Sequence, residues 1–174
     1  MNIRNRISIT RGNIIAQDTD AIVNAANTDL ILGSGVAGAI READDGTIQA
    51  ECKRIGTIPL GKAVVTSGGA TGIPWVIHAA AMEFGGSATS KFVTRAIRSS
   101  LARARERELK SVAIPAIGTG VGGLPVDTCA EISIETARNH LAGETTLKEI
   151  RFVLFSEDAH EAFRNAYDRI LLPS

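Results

Sequence analysis

Two stretches of this 174-residue sequence share one layout: a short apolar run, a glycine loop of the form GxGxxG, and then a segment of helical character. In the first, the run 21–27 (AIVNAAN) is followed by residues 28–32 and then by Gly33, Gly35 and Gly38, with Arg41 and Glu42 on the helix-like segment beyond. In the second, the apolar run 112–117 leads straight into Gly118, Gly120 and Gly123. Pro125 then stands in the first turn of the next helix, where its missing N–H costs nothing. Strands that feed helices through tight turns pair in parallel, because the crossover brings the chain back to the same edge of the sheet. The layout therefore predicts an α/β fold with helices on both faces of the sheet.

The remaining periodicities agree with it. Ile7 and Ile9 alternate with polar neighbours up to the turn at Arg11-Gly12-Asn13, the pattern of a half-buried strand. The run 21–27, bounded by polar turn formers, reads as a central strand buried on both faces. Further strands are expected at 63–66 and 75–80, around a turn holding Gly68, Gly69 and Gly72. Val93, Ile97, Leu101 and Ala104 recur at spacings of three and four, the apolar stripe of a helix over 90–110 with a basic opposite face. A helix over 126–140, a strand over 150–155 and a helix over 157–171 with Ser156 as N-cap complete a single domain over residues 1–174. No internal repeat or linker divides the chain.

Apolar residues make up 44% of the chain and charged residues 22%, ordinary globular usage that excludes a disordered or disulfide-stapled chain. The formal net charge is zero, so a nucleic-acid partner is not expected and any anion must be held locally. The basic run Arg95, Arg98, Arg103, Arg105, Arg107 and Lys110 is broken by Glu106 and Glu108 and carries no aromatic residues for base stacking, so it reads as a solvated helix face. The opening MNIRNRISIT has no apolar leader and no run is long enough to span a bilayer. A cytoplasmic protein without membrane contact is the expectation.

Cys52 and Cys129 lack the CxxC or histidine partners of a metal site, so no metal and no cofactor are expected, and both read as core residues. His78 reads as a satisfied core histidine, Trp75 as core, and His140 and His160 as helix-surface residues. Asn24 and Asn27 are polar residues in an apolar strand and need partners. Asn24 is expected to bond nearby backbone and shape the loop, and Asn27, nearer the strand end, to contact a ligand.

Glycines let main-chain N–H groups approach an anion, and a helix N-terminus favours negative charge, so two such loops in one chain point to a phosphate-bearing ligand. A Rossmann dinucleotide site fits poorly, because residues 28–32 separate the first loop from its strand and no acidic residue ends a strand at the right distance. GxxxxGK[ST], HExxH and GxSxG are absent from the sequence.

Taken together, Gly12-Asn13-Ile14, the segment 20–27 (DAIVNAAN), the loop 33–38 and the segment 115–123 resemble the macro domain family. The resemblance runs over nearly the whole chain, from about Ile7 to the last helix. It implies a three-layer α/β/α sandwich with a central mixed, mostly parallel sheet, and a cleft at the strand ends for ADP-ribose, free or attached to protein, in what is expected to be a monomer. By that resemblance Gly35, Val36 and Ala37 lie along the diphosphate in the first loop, which also holds Gly33 and Ser34. Gly118, Thr119, Gly120, Val121 and Gly122 form the second loop and close over it. Ile14 and Phe155 flank the adenine beside Asn13, and Asn27 reaches the distal ribose, where it is the one candidate for a catalytic role.

Three positions depart from the family's pattern. Asn13 stands where an Asp usually accepts a hydrogen bond from the adenine amino group. Ala37 stands where efficient hydrolases of ADP-ribosyl bonds commonly carry Asp, and Gly122 where they tend to carry an aromatic residue. Binding of ADP-ribose is therefore the leading reading. The alternatives are hydrolysis of an ADP-ribosyl ester or of O-acetyl-ADP-ribose, with the substrate's own phosphate activating water and Asn27 orienting the sugar, and binding of an RNA end or poly(A) in the same cleft.

Overall fold

The computed structural model describes residues 1–172. In chain order the strands are β1 (Ile7–Arg11), β2 (Ala21–Asn27), β3 (Ala63–Ser67), β4 (Trp75–Met82), β5 (Ser111–Ile114) and β6 (Glu149–Leu154). The helices are α1 (Gly35–Ala43), α2 (Thr47–Ile55), α3 (Ser90–Glu106), α4 (Val126–Leu141) and α5 (Glu157–Leu171). The strands form one sheet in the order β1-β6-β5-β2-β4-β3. All neighbours pair in parallel except β3, which runs antiparallel to β4 at one edge, so the sheet is mixed.

Alternation along the central strands divides the interior into two cores. Ala21 and Val23 of β2, with Ile77, Ala79 and Ala81 of β4, face the apolar stripes of α3, α4 and α5, including Ile97, Leu101, Ile134 and Phe163. Ile22 and Ala26, with Val76 and Ala80, face the other way onto Ile40 of α1 and Ile48 and Cys52 of α2. Three helices on one face and two on the other make the three-layer sandwich.

Several boundaries differ from the periodicity. The helix expected over 90–110 ends at Glu106, with Glu108 in the left-handed region turning the chain toward β5. The last strand stops at Leu154 and leaves Phe155 outside the sheet. The apolar run 112–117 is strand only to Ile114, because Pro115 has no N–H to continue a ladder. Trp75 is half-buried at the start of β4, with the Arg107 guanidinium 4.4 Å from its ring centroid, rather than core. His140 is half-buried too, its Nε2 2.9 Å from Thr145 Oγ1.

The core expectation holds for His78. Asn24 and His78 are register partners on β2 and β4, and Asn24 Nδ2 lies 3.1 Å from His78 Nδ1. Thr66 Oγ1 lies 2.9 Å from Nε2 and donates to the Ser67 carbonyl, so it accepts from Nε2–H. This fixes a neutral imidazole. Asn24 thus bonds a side chain in the core rather than nearby backbone, and its Oδ1 has no partner among the described residues. Both cysteines are buried, and desolvation pushes the Cys52 thiol up to about 11 and the Cys129 thiol up to about 12, so neither is a thiolate at neutral pH.

Candidate functional site

The neighbours β1, β6, β5 and β2 are parallel, so their C-terminal ends fall along one side of the sheet, where ligands bind in open α/β folds. The chain leaving each strand contributes to one cleft of about 600 Å³. Gly12, Asn13 and Ile14 follow β1, Gly35 and Val36 open α1 beyond β2, Pro115, Ala116, Thr119 and Gly120 follow β5, and Phe155 and Ser156 follow β6. The glycine loops, 85 residues apart in sequence at Gly35 and Gly120, face each other across this space.

Each loop presents main-chain donors. Ser34 is the N-cap of α1, yet its side chain makes no cap hydrogen bond, so the N–H groups of Gly35, Val36 and Ala37 are without partners among the described residues. In the second loop a 3-10 turn runs from Gly120 to Gly122, and Thr119 before it likewise makes no side-chain cap, since its Oγ1 donates to the Ala116 carbonyl at 2.8 Å. The N–H groups of Gly120, Val121 and Gly122 are left in the same condition. Gly35 (φ 61°) and Gly120 (φ 64°) both sit in the left-handed region with nothing within 4 Å of where a Cβ would stand. Only glycine adopts that conformation without strain.

The scaffold behind the first loop is anchored by side chains. Arg41 Nη1 donates to the carbonyls of Leu32 (2.7 Å) and Gly33 (2.8 Å), and Gln49 bridges the Leu32 N–H and the Leu30 carbonyl. Asp44 accepts from the N–H groups of Ile48 and Ala70, holding the α1–α2 junction on the turn after β3.

Of the residues expected at the site, Asn13, Ile14, Gly35, Val36, Thr119, Gly120 and Phe155 line the cleft. Gly33, Ser34, Ala37, Gly118, Val121 and Gly122 belong to the loop scaffolds around it. Asn27 does not line it. Its Oδ1 accepts from the N–H groups of Asp29 (3.1 Å) and Ile31 (3.2 Å), and its Nδ2 donates to the Ile31 carbonyl at 3.0 Å. Three of the four hydrogen-bonding positions of the carboxamide are thus used on the turn that precedes the first loop. Pro115, Ala116, Val126, Val153, Asp158 and Ala159 also line the cleft. The first turn of a helix that follows a strand on this side was the sequence signal for Val126, Asp158 and Ala159. Phe155 is 88% exposed at the rim, an aromatic face that the core does not use. Among the lining residues Asp158 alone carries a titratable group, and among the described residues no cluster of three or more metal-ligating side chains occurs. No helix among them is long and apolar enough to cross a membrane.

Comparison with known proteins agrees with this geometry. The family model "Macro domain" matches residues 23–133. A macro domain-containing protein of Caldanaerobacter subterraneus is 38% identical over 174 residues, covering 97% of this chain and 99% of the relative. Among solved structures, the Oceanobacillus iheyensis macrodomain with ADP superposes with a TM-score of 0.86 at 26% identity, over 98% of this chain and 94% of that one. The Trypanosoma brucei macrodomain in complex with ADP-ribose gives a TM-score of 0.85 at 28% identity, over 92% of this chain and 68% of that one. With the strand-end cleft, the paired loops and these matches in agreement, the chain belongs to the macro domain family.

Proposed function

We propose that the cleft binds ADP-ribose, free or carried on a protein, with the diphosphate held between the two glycine loops. The observation that carries this reading is the set of main-chain N–H groups without partners among the described residues, those of Gly35 and Val36 on one wall and of Gly120 on the other, with those of Ala37, Val121 and Gly122 in the same loops. Donors of this kind suit a charge-rich, many-acceptor anion and require no net positive charge on the protein. Phe155 at the rim supports a stacked base at one end. Macrodomains of the same fold hold ADP and ADP-ribose, which supports the same ligand here.

Binding, not turnover, is the function proposed. A hydrolytic reading needs a group to position or activate water at the distal ribose, and Asn27, the residue expected there, uses its oxygen and one Nδ2 hydrogen in its own turn. Charge-assisted bonds to phosphate contribute about 1.5–3 kcal/mol each, so a few of them supply a dissociation constant on the order of micromolar. Isothermal titration with ADP-ribose is the test. Saturable heat with one site is the expected result, and no heat or thermal shift at millimolar ligand removes the reading.

A further inference from the structure

We propose that a protein carrying ADP-ribose docks through an acidic segment on a basic patch, formed by the first half of α3 and Lys62 beside the far end of the cleft. The inference rests on the reading of the cleft as an ADP-ribose site and adds the surface that receives the carrier. Phe155 follows β6 at one end of the cleft, and the strand order β6-β5-β2-β4 puts the end of β4 on the opposite side. A ligand with its base at Phe155 therefore directs its distal ribose, and whatever is joined to it, toward the chain that leaves β4.

That chain is the segment 83–89, which carries Phe84, 61% exposed, and leads into α3 at Ser90. The Ala88 N–H holds it against the second glycine loop through the Gly122 carbonyl. Lys91, Arg95 and Arg98 then recur at spacings of four and three along the exposed side of α3. Lys62, also exposed, stands beside them. Gly61 and Lys62 are bonded through their main chain to Ala80, near the end of β4. A Cβ built at Gly61 would stand 3.0 Å from Arg95 Cβ and 3.3 Å from Phe92 Cδ1, and Ser99 Oγ accepts the Ala63 N–H at 2.9 Å.

These four cations are not neutralised within the fold. None of them makes an ion pair among the described residues, and α3 holds no acidic residue from Ser90 to Arg105. Lys91 stands in the first turn of the helix, where the macrodipole disfavours a cation. Helix α5 shows the ordinary preference, with Glu157 and Asp158 in its first turn. A local preference broken with no compensation inside the fold points to a partner outside it. Further along α3, Arg103 is paired with Glu106 at 2.6 Å, so the unneutralised patch stops short of it.

The patch suits an acidic polypeptide better than a nucleic acid. Its ring, Phe92, is half-buried, with Lys91 Nζ 5.3 Å and the Arg95 guanidinium 5.5 Å from the ring centroid. It is thus engaged by its own cations rather than standing open to a base. Lys91 and Arg98 lie about 10 Å apart along the helix, a span that a few carboxylates on an extended chain cover.

The experiment titrates the wild type and Lys91→Glu/Arg98→Glu with free ADP-ribose and with ADP-ribose joined through a hydrolysis-resistant amide to two peptides, one flanked by aspartates and one by lysines. The wild type is expected to bind the acidic conjugate about tenfold more tightly than free ADP-ribose, and the basic conjugate more weakly than free ADP-ribose. Lys91→Glu/Arg98→Glu is expected to abolish the acidic advantage and to leave the affinity for free ADP-ribose within about twofold. Both positions are exposed and a glutamate suits the first turn, so thermal melting of this variant is expected to match the wild type. Arg105→Glu/Lys110→Glu makes the same change of net charge at the far end of α3 and beyond it, and is expected to keep the advantage. Equal affinity for the two conjugates, an advantage that survives Lys91→Glu/Arg98→Glu, or one lost equally in Arg105→Glu/Lys110→Glu overturns the proposal while the cleft reading stands. An oligouridylate that binds the wild type more tightly than the acidic conjugate assigns the patch to nucleic acid and overturns the proposal as well. Failure of free ADP-ribose and both conjugates to bind the wild type overturns the cleft reading itself.

Discussion

The Ala88 N–H donates to the Gly122 carbonyl at 2.8 Å, and a Cβ built at Gly122 would stand 2.9 Å from Ala88 Cβ and 3.4 Å from Met82 Sδ. The second glycine loop is therefore packed against the segment joining β4 to α3, with no room for a side chain at 122. This accounts for glycine at 122, since a larger side chain would need the 83–89 segment to be elsewhere. Gly122→Ala is expected to cost about 1–3 kcal/mol of stability, as overpacking does, and to weaken ADP-ribose binding by shifting the loop. Ala88→Gly relieves the contact, so the double variant is expected to be more stable than the sum of the two single changes. Strict additivity in urea denaturation would show that the two residues do not meet.

Gly35 and Gly120 are constrained differently. Each has open space at its Cβ and a left-handed backbone, so an alanine strains the main chain by about 1 kcal/mol without any clash. A glutamate at either position adds a carboxylate between the loops. Gly120→Glu and Gly35→Glu are each expected to reduce ADP-ribose affinity by about a hundredfold or more while the circular dichroism spectrum is unchanged. An affinity that survives Gly120→Glu would take the second loop out of the site.

The imidazole of His78 is fully buried between Asn24 and Thr66, and desolvation lowers its pKa from the usual 6.5 to about 4. The folded state thus binds this proton less readily than the unfolded state. Stability contributed by the neutral ring is complete above pH 6.5 and is lost progressively as pH falls from 6.5 toward 4, by about 3 kcal/mol in all. Urea midpoints at pH 7, 6, 5 and 4.5 measure it. His78→Gln is expected to lower stability at pH 7 and to flatten the slope over this window; a slope that survives the substitution belongs to other groups.

Asp44 ties the first loop's helix to the far side of the sheet. Burial opposes its ionisation, but the main-chain N–H groups of Ala70 and Ile48 outweigh it and hold the carboxyl below the usual carboxylate range. Stability from this group is present above the unfolded pKa and is lost as pH falls through the folded one. Asp44→Ala is expected to cost about 1–2 kcal/mol at pH 7, and Asp44→Asn about half of that, since the amide keeps one acceptor. Equal loss in both variants would assign the effect to charge rather than to the two hydrogen bonds.

Sequence pattern carried much of this architecture because strand–loop–helix order and apolar periodicity are local properties. The run 21–27, the stripe through Val93, Ile97, Leu101 and Ala104, and both glycine loops all stand where their spacing placed them. What escaped is tertiary. The antiparallel direction of β3 is set by the short turn that leads from it into β4 and not by its composition. The separate helix α2 begins at Thr47, with Gly46 as its N-cap, after a turn closed by Asp44 and Asp45, and has no long apolar run of its own. Asp158, Val126 and Val153 reach the cleft only because α5 and α4 begin, and β6 ends, beside it. The neutral pair Asn24–His78 depends on a register of β2 against β4 that neither strand's sequence specifies alone.

Asn27 ends β2, where the pairing with β4 shifts register, and its carboxamide makes three hydrogen bonds within residues 27–31. That geometry assigns it to shaping the approach to Gly33 and Gly35, upstream of any contact with a sugar. Asn27→Asp keeps the two accepting bonds and loses the donation to the Ile31 carbonyl, whereas Asn27→Ala loses all three. If the side chain acts through the turn, stability and ADP-ribose affinity fall together, slightly in Asn27→Asp and by about 1–2 kcal/mol in stability in Asn27→Ala. If it touches the distal ribose instead, Asn27→Ala weakens ADP-ribose but leaves ADP binding unchanged, because ADP lacks that sugar. The shaping role predicts equal loss for both ligands, so the ratio of their affinities across the two variants decides between a positioning residue and a ligand contact.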